Sequence, residues 1–184
     1  MVRLFITTVI GLAILGSAAF GGEAGLTYIV PSAAGSDDGA PVRPLMPDLI
    51  FADGSGMPTH LRQYMGQVVV INFWATWCAP CVSEMLFLDR LQGDSRGQPL
   101  AVLAISEDQG GIPVVRAFLS RQKYNYLRPF ADPASGVAQA LQIKGLPTTI
   151  ILDRHNRQVL RVQGPYQWSS PMVVARLRML MSEP

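Results

Sequence analysis

Cysteine, histidine and charge are all scarce in this chain. Its 184 residues include two cysteines and two histidines, and 15% are charged, with a formal net charge of +2. A nearly neutral chain offers no electrostatic case for binding nucleic acid. The eight methionines are scattered and form no copper-binding cluster, and no internal repeat is evident. The 49% apolar content is enough to bury a core, and the length suits one domain plus accessory segments.

The two cysteines, Cys78 and Cys81, are separated by only two residues. A loop that short constrains almost nothing in the unfolded chain, so a stabilising crosslink is a poor explanation for the pair. The spacing indicates dithiol and disulfide chemistry instead. We expect no cofactor, because the redox-active disulfide Cys78–Cys81 would itself be the reacting group.

The cysteine pair lies where a strand is predicted to end and a helix to begin. Residues 68–74 form a β-branched apolar run typical of a buried strand, and apolar residues recur at helical spacing from Val82 to Leu91. The free N–H groups and dipole of a helix N-terminus lower the pKa of a thiol there. We therefore expect Cys78 to be the exposed attacking thiolate. Cys81, about one turn further in, would resolve the mixed disulfide.

An uncharged, largely apolar stretch runs from residue 4 to residue 22. As a helix it would be about 28 Å long, close to the hydrocarbon thickness of a bilayer. Arg3 precedes it and acidic residues follow it, which predicts a cytoplasmic N-terminus and an exported domain. We interpret residues 1–22 as a signal anchor or signal peptide, with the uncleaved anchor favoured.

The rest of the chain divides into a spacer and a domain. Residues 23–45 are rich in small residues and proline and are predicted to be a flexible linker. Within residues 46–184, strands alternate with helices and an antiparallel hairpin follows, an order typical of parallel βαβ units. The predicted elements after the first strand and helix are a strand at 100–105, a helix at 113–122, hairpin strands at 148–152 and 158–162, and a final helix capped by Ser170 and Pro171.

Residues 72–81, Asn-Phe-Trp-Ala-Thr-Trp-Cys-Ala-Pro-Cys, resemble the active-site segment of thioredoxin-like proteins of the TlpA/ResA branch. Residues 145–149, Gly-Leu-Pro-Thr-Thr, resemble the cis-proline loop that faces it. The resemblance extends from about Pro47 to the C-terminus. It implies an α/β thioredoxin fold, with a central mixed sheet flanked by helices and an N-terminal β-hairpin extension at residues 48–56.

The resemblance also implies how a client would be held. The Leu146–Pro147 peptide bond would be cis, and the backbone at Leu146 would pair with an extended client segment, placing the client sulfur against Cys78. Trp77 would shape the exposed rim around that sulfur and contact the client. Lys144, just before the loop, is either a partner contact or a solvated lysine.

A proton carrier is implied by the same resemblance. Thioredoxin has a buried aspartate where this chain has Asn72, which cannot titrate. Glu84, three residues after Cys81, matches the acidic residue of the TlpA/ResA branch, and burial near a thiol would raise its pKa and let it shuttle a proton. Leu86 replaces a proline that often kinks the helix in this family, so we expect the helix to run straighter.

The function implied is an exported thiol:disulfide oxidoreductase that reduces disulfides in other proteins outside the cytoplasm. By resemblance its electron donor would be a membrane conduit of the DsbD/CcdA kind, and its clients apocytochrome c or proteins of oxidase copper-centre assembly. We expect a monomer, periplasmic or otherwise extracytoplasmic, held at the inner membrane by residues 4–22.

Two other functions remain open at this point. A Sco-type copper chaperone uses two cysteines and a distant histidine, for which His155 is available, although Sco cysteines are spaced by three residues. A disulfide-forming oxidase would use the same residues as the reductase and differ only in reduction potential. His60 and His155 are otherwise expected to be ordinary surface residues. Trp74 is expected in the core, and Trp168 is expected to pack at the start of the last helix.

Overall fold

The computed structural model describes residues 27–29 and 42–184. The predicted signal or anchor segment, residues 1–22, lies outside the described residues. No helix in the described part of the chain is long and apolar enough to cross a membrane.

The described elements alternate between strands and helices over most of the domain. In chain order they are β1 (Thr27–Ile29), β2 (Ile50–Ala52), β3 (Pro58–His60), a 3-10 helix (Leu61–Tyr64), β4 (Val68–Trp74), α1 (Ala79–Asp94), β5 (Leu100–Ser106), α2 (Gly111–Gln122), β6 (Phe130–Ala131), α3 (Gly136–Ala140), β7 (Thr148–Leu152), β8 (Gln158–Gln163) and α4 (Pro171–Ser182).

All the strands described belong to one mixed sheet, in the order β1-β8-β7-β4-β5-β6-β2-β3. β4 lies near the middle, parallel to β5 and antiparallel to β7, and all seven of its residues are buried. The hairpin of β2 and β3 extends the sheet at one edge, where Ala52 pairs with Ala131 of β6. This arrangement confirms the predicted thioredoxin fold with its N-terminal hairpin.

Alternation along β4 builds a core on each face of the sheet. Val68 and Val70 pack into a cluster with side chains of α1, α2 and α4, whereas Val69, Ile71 and Phe73 pack into a second cluster with the 3-10 helix and α3. A strand buried on both faces is apolar at nearly every position, which is why this run is continuous rather than alternating. Helices therefore flank the sheet on both sides.

The helices match their predictions with small differences. α1 is uninterrupted from Ala79 to Asp94. α2 begins two residues before the predicted Pro113, at Gly111. Ser170 stands at the N-cap of α4, but its side chain makes no capping hydrogen bond.

The predicted flexible linker, residues 23–45, needs correction at two places. Thr27–Ile29 form β1, which pairs with β8 and so becomes the outermost strand of the described sheet. Arg43 contacts Asp153 at 3.2 Å and also bonds Glu183, and Leu45 bridges Arg157. Composition indicates only a low tendency to fold alone. It does not reveal that an edge strand offers unpaired N–H and C=O groups nearby.

Candidate active site

The active-site disulfide joins Cys78 to Cys81 at the start of α1, with their Cα atoms 5.2 Å apart. Cys78 is the N-cap residue of the helix, and its Sγ accepts a hydrogen bond from the Cys81 N–H at 3.3 Å. Cys78 is 6% exposed and Cys81 is fully buried. The prediction of an exposed Cys78 is therefore wrong for the disulfide form, because its sulfur is bonded to Cys81 and directed at the helix N-terminus. Cys78 is still the more accessible of the two.

The turn that carries Cys78 is fastened to the neighbouring strand by Asp108. Its carboxylate accepts hydrogen bonds from the Thr76 N–H at 2.9 Å, the Thr76 hydroxyl at 2.7 Å and the Ser106 hydroxyl at 2.7 Å. Trp74 and Ser106 are paired at the ends of two parallel strands, so the residues after each strand meet. The sequence analysis missed Asp108. Polar residues directly after two adjacent parallel strands were the available signal.

The loop before β7 brings Pro147 to the end of the sheet at which β4 leads into the turn that carries the cysteines. The Leu146–Pro147 peptide bond is cis, as the resemblance implied. Leu146 is half-buried and packs against the cluster that contains both cysteines, whereas Trp77 is 71% exposed. The structure thus brings the predicted client-contact residues together at one rim of the active site, where Trp77 and Leu146 line one groove and Pro147 precedes Thr148, which pairs with Phe73 of β4.

Glu84 lies one turn beyond Cys81 and is only 4% exposed. The backbone N–H of Tyr166 donates to its Oε1, and the Asn72 amide lies 3.5 Å from its Oε2. Burial raises the pKa of this carboxyl above its ordinary value, an effect partly offset by Tyr166, the Trp168 side chain and Asn72. The buried carboxyl expected near the thiols is therefore present.

Trp168 completes the wall around Glu84. It lies in the turn ahead of α4 rather than at the helix start, is 3% exposed and packs edge-on against Tyr166 with ring centroids 5.0 Å apart. Its burial confirms the predicted packing role. Its indole N–H, close enough to affect the pKa of Glu84, makes no hydrogen bond of normal geometry.

A second carboxyl near the active site is that of Glu107, which directly follows the last residue of β5. It is one of the residues that line a groove of about 520 Å³, together with Trp77, Ser135, Lys144 and Leu146. Burial raises the pKa of Glu107 to about 7, the nearby Ser135 side chain opposes that rise, and the nearby charge of Asp132 adds to it. The Oε1 atom of Glu107 is buried and has no hydrogen-bond partner. The sequence analysis did not single out this residue.

The histidine needed for a copper site is far from the disulfide. His155 is exposed in the turn between β7 and β8, whereas Pro147 adjoins the opposite end of β7. Five strand residues place the two ends roughly 16 Å apart, too far for one metal ion to bridge. His60 bonds Asp48 at 2.9 Å. Among residues 42–184 no group of three or more His, Cys, Asp or Glu side chains could hold a metal ion.

The fold and the site together define a thioredoxin-like protein with a CxxC disulfide at a helix N-terminus beside a cis-proline. The family model named Redoxin matches residues 41–169. The chain belongs to the Redoxin family.

Relatives and solved structures agree with this assignment. The chain is 32% identical to thiol-disulfide oxidoreductase ResA of Halalkalibacterium halodurans over 113 residues, which is 61% of this chain and 62% of that protein. It is 30% identical to ResA of Geobacillus thermodenitrificans over 112 residues, 60% of this chain and 63% of that one. These matches span less than two thirds of each relative. They confirm the predicted resemblance to the ResA branch.

Two solved structures share the fold. A secreted thiol-disulfide isomerase from Corynebacterium glutamicum superposes with a TM-score of 0.68 at 23% identity, covering 89% of this chain and 97% of that one. A thiol:disulfide interchange protein of the thioredoxin family from Chlorobium tepidum superposes with a TM-score of 0.62 at 22% identity, covering 77% and 98%.

Proposed function

We propose that this protein is a thiol:disulfide oxidoreductase that reduces disulfides in client proteins. The observation that carries the proposal is the Cys78–Cys81 disulfide at the N-terminus of α1, with Cys78 nearer the surface and Cys81 enclosed. A helix N-terminus stabilises a thiolate at Cys78 once the disulfide is reduced. The chemistry requires no cofactor beyond the two sulfurs.

The reaction passes two electrons from the dithiol to the client. The Cys78 thiolate attacks one sulfur of the client disulfide, and the other client sulfur leaves and takes up a proton. Cys81 then loses its proton and attacks the Cys78 sulfur, which breaks the mixed disulfide and releases the second client thiolate, which is protonated. The products are a client dithiol and the Cys78–Cys81 disulfide.

We infer that Glu84 handles the proton that Cys81 must lose. It lies one turn from Cys81 on the same helix and is buried, so water is poorly placed for this task. Burial raises the pKa of the carboxyl, which brings it closer to the pH at which a thiol gives up its proton. Leu146 and Trp77 would hold the client segment across Cys78, with Pro147 fixing the loop.

The wider setting rests on the sequence and on resemblance. The apolar stretch at residues 4–22 supports an extracytoplasmic domain anchored to the membrane. A donor of the DsbD/CcdA type would regenerate the dithiol, because an oxidising compartment needs an outside source of electrons. Clients would be apocytochrome c or proteins of oxidase copper-centre assembly, and the protein would act as a monomer.

The reduction potential of the purified protein tests the direction of electron flow. A value near that of thioredoxin, about −270 mV, is expected for a reductant, whereas one near about −120 mV would make it a disulfide-forming oxidase. A Cys81→Ser variant should accumulate mixed disulfides with clients in cells. The double variant Cys78→Ser, Cys81→Ser is the matched control. If Cys81→Ser traps no more protein than this control, the mechanism is wrong.

A further inference from the structure

Beside the active-site rim lies a groove whose polar groups are only partly used by the fold. Its lining includes Trp77, which precedes Cys78 in the chain, and Leu146, which precedes Pro147, together with Glu107, Ser135 and Lys144. A client segment held across Cys78 by the residues before Pro147 would therefore continue past Trp77 into this groove.

The position of Glu107 in the groove is fixed by the backbone. Its N–H donates to the Trp74 carbonyl at 2.8 Å, at the end of the central strand four residues before Cys78. The side chain is half-buried, and its Oε1 is enclosed without a hydrogen-bond donor. A donor that enters the groove can reach the carboxylate only at the half-exposed part of the side chain, away from the enclosed Oε1.

The other charged groups facing Glu107 do not supply that donor. The Asp132 carboxylate accepts the N–H groups of Gly136, Val137 and Ala138, so it is committed to the start of α3. Lys144 lines the groove but forms no ion pair with Glu107 in the described structure. The turn carrying Trp77 and the residues Gln109 and Gln139 bring no charge to the groove.

We propose that Glu107 makes this groove selective for client segments that carry a cationic side chain close to the reacting cysteine. The inference rests on the proposed function, since it needs a client bound through Cys78. A lysine or arginine in the groove would pair with the half-exposed Glu107 carboxylate, which has no ion-pair partner in the described structure. Glu107 would thus be a specificity residue that takes no part in the electron transfer.

The selectivity should depend on pH in a defined direction. Because burial raises the pKa of Glu107 to about 7, the carboxyl is mostly neutral at pH 5.5 and mostly ionised at pH 8. The client lysine stays cationic throughout this range. Preference for the cation should therefore be present at pH 8 and weaken as the pH falls.

The test uses the full chain with Cys81→Ser and two peptides that differ only in a lysine or an acetyl-lysine within three residues of their cysteine, each supplied as its mixed disulfide with glutathione. The Cys78 thiolate takes the peptide sulfur and glutathione leaves as the thiol, and the measured quantity is the ratio of the two exchange equilibrium constants. Both peptides react with the same thiol, so the titration of Cys78 cancels in the ratio.

We expect a ratio of about threefold in favour of lysine at pH 8, the scale of one ion pair near the surface, and close to one at pH 5.5. Glu107→Gln should bring the ratio to about one at both pH values. Asp94→Asn, which removes an exposed carboxylate at the end of α1, should keep the ratio and its pH dependence.

Three results would overturn the proposal. Equal constants for the two peptides at pH 8 would refute selectivity while leaving the oxidoreductase mechanism intact. If Glu107→Gln still prefers the lysine peptide, another group causes the preference and the proposal is wrong. Lys144→Gln would then test the charge balance of the groove. A failure of both peptides to form any mixed disulfide would refute the proposed function itself, together with the groove proposal.

Discussion

Glu84 follows Cys81 on α1, and Glu107 lines the groove that also contains Trp77 and Leu146. Burial raises the pKa of both carboxyls. Their surroundings differ, because Glu84 is enclosed with donors facing each of its oxygens, whereas Glu107 is half-exposed at the groove and has no ion-pair partner in the described structure. A carboxyl whose partners are built into the protein suits proton transfer with a buried thiol. One whose partner is missing suits recognition of an incoming group.

The largest expected effect is a difference between the two carboxyl variants in the rate at which they reduce a disulfide peptide. Glu84→Gln should slow the reduction of an uncharged disulfide peptide at pH 7 by about 100-fold, because general acid–base assistance to Cys81 is lost. Glu107→Gln should change the same rate by less than about threefold, since the peptide offers no cation. Steady-state turnover measured on both purified variants checks the contrast. Equal losses in the two variants would show that the carboxyls are not specialised.

A third carboxylate, Asp108, extends the comparison to a group whose oxygens bond donors of the active-site turn and of the adjoining strand β5. Asp108→Ala should lower the free energy of unfolding by about 3 kcal/mol, because it leaves the Thr76 N–H and two hydroxyls without their charged acceptor. Chemical denaturation of the oxidised protein measures the loss. Thr76→Val, which removes only one of these donors, should cost about 1 kcal/mol. If Asp108→Ala lowers the free energy of unfolding by less than about 1 kcal/mol, the active-site turn does not depend on the Asp108 carboxylate.

The stability of Glu107→Gln relative to the parent should depend on pH. The pKa of Glu107 is 4.5 in an ordinary setting and about 7 in the fold. Between these values the folded chain keeps a proton that the unfolded chain has lost, so the contribution of Glu107 to stability falls as pH rises from about 4.5 to 7.

Glu107→Gln lacks this loss, so relative to the parent it should be more stable at pH 8 than at pH 4 by about 1 kcal/mol, a figure reduced for its half-exposed position. Denaturation curves at the two pH values give the difference. Asp94→Asn should show no comparable pH-dependent gain. A Glu107→Gln variant whose relative stability is the same at both pH values would contradict the raised pKa.

The smallest expected effect concerns Trp77, which lies at the rim of the active site. Trp77 is 71% exposed, so Trp77→Ala should change the free energy of unfolding by no more than about 0.5 kcal/mol. The same change should raise KM for a disulfide peptide several-fold and leave kcat nearly unchanged, because it removes binding area without touching the sulfurs. A fall in kcat with unchanged KM would place Trp77 in the chemistry instead.

The sequence predicted what depends on local patterns. The apolar run of β4, the cysteines after it and the periodic face of α1 are contiguous, so strand, turn and helix could be placed from spacing alone. The cis bond at Pro147 came from resemblance, since a turn is all that local chemistry indicates there. The hairpin strands β7 and β8 were placed from the polar turn, residues 153–157, that lies between them.

The contacts that distinguish the carboxyls could not be predicted in this way. Tyr166 bonds Glu84 from 82 positions away in the chain, and no periodicity links the two segments. Glu107 lies next to a strand end with nothing in its neighbours to indicate an unpaired oxygen. Burial, which raises both pKa values, is a property of the assembled sheet and helices rather than of any short segment.

The central proposal is that Glu84 handles the proton that Cys81 must lose. The direct test mixes the reduced protein with excess fluorescent disulfide peptide in a stopped-flow instrument and follows the second phase, in which Cys81 releases the product, across pH. We predict that the rate of this phase increases as the pH rises through the raised pKa of Glu84. Glu84→Gln should slow the phase about 100-fold and remove this increase. A Glu84→Gln variant with the rate and pH profile of the parent would contradict the account.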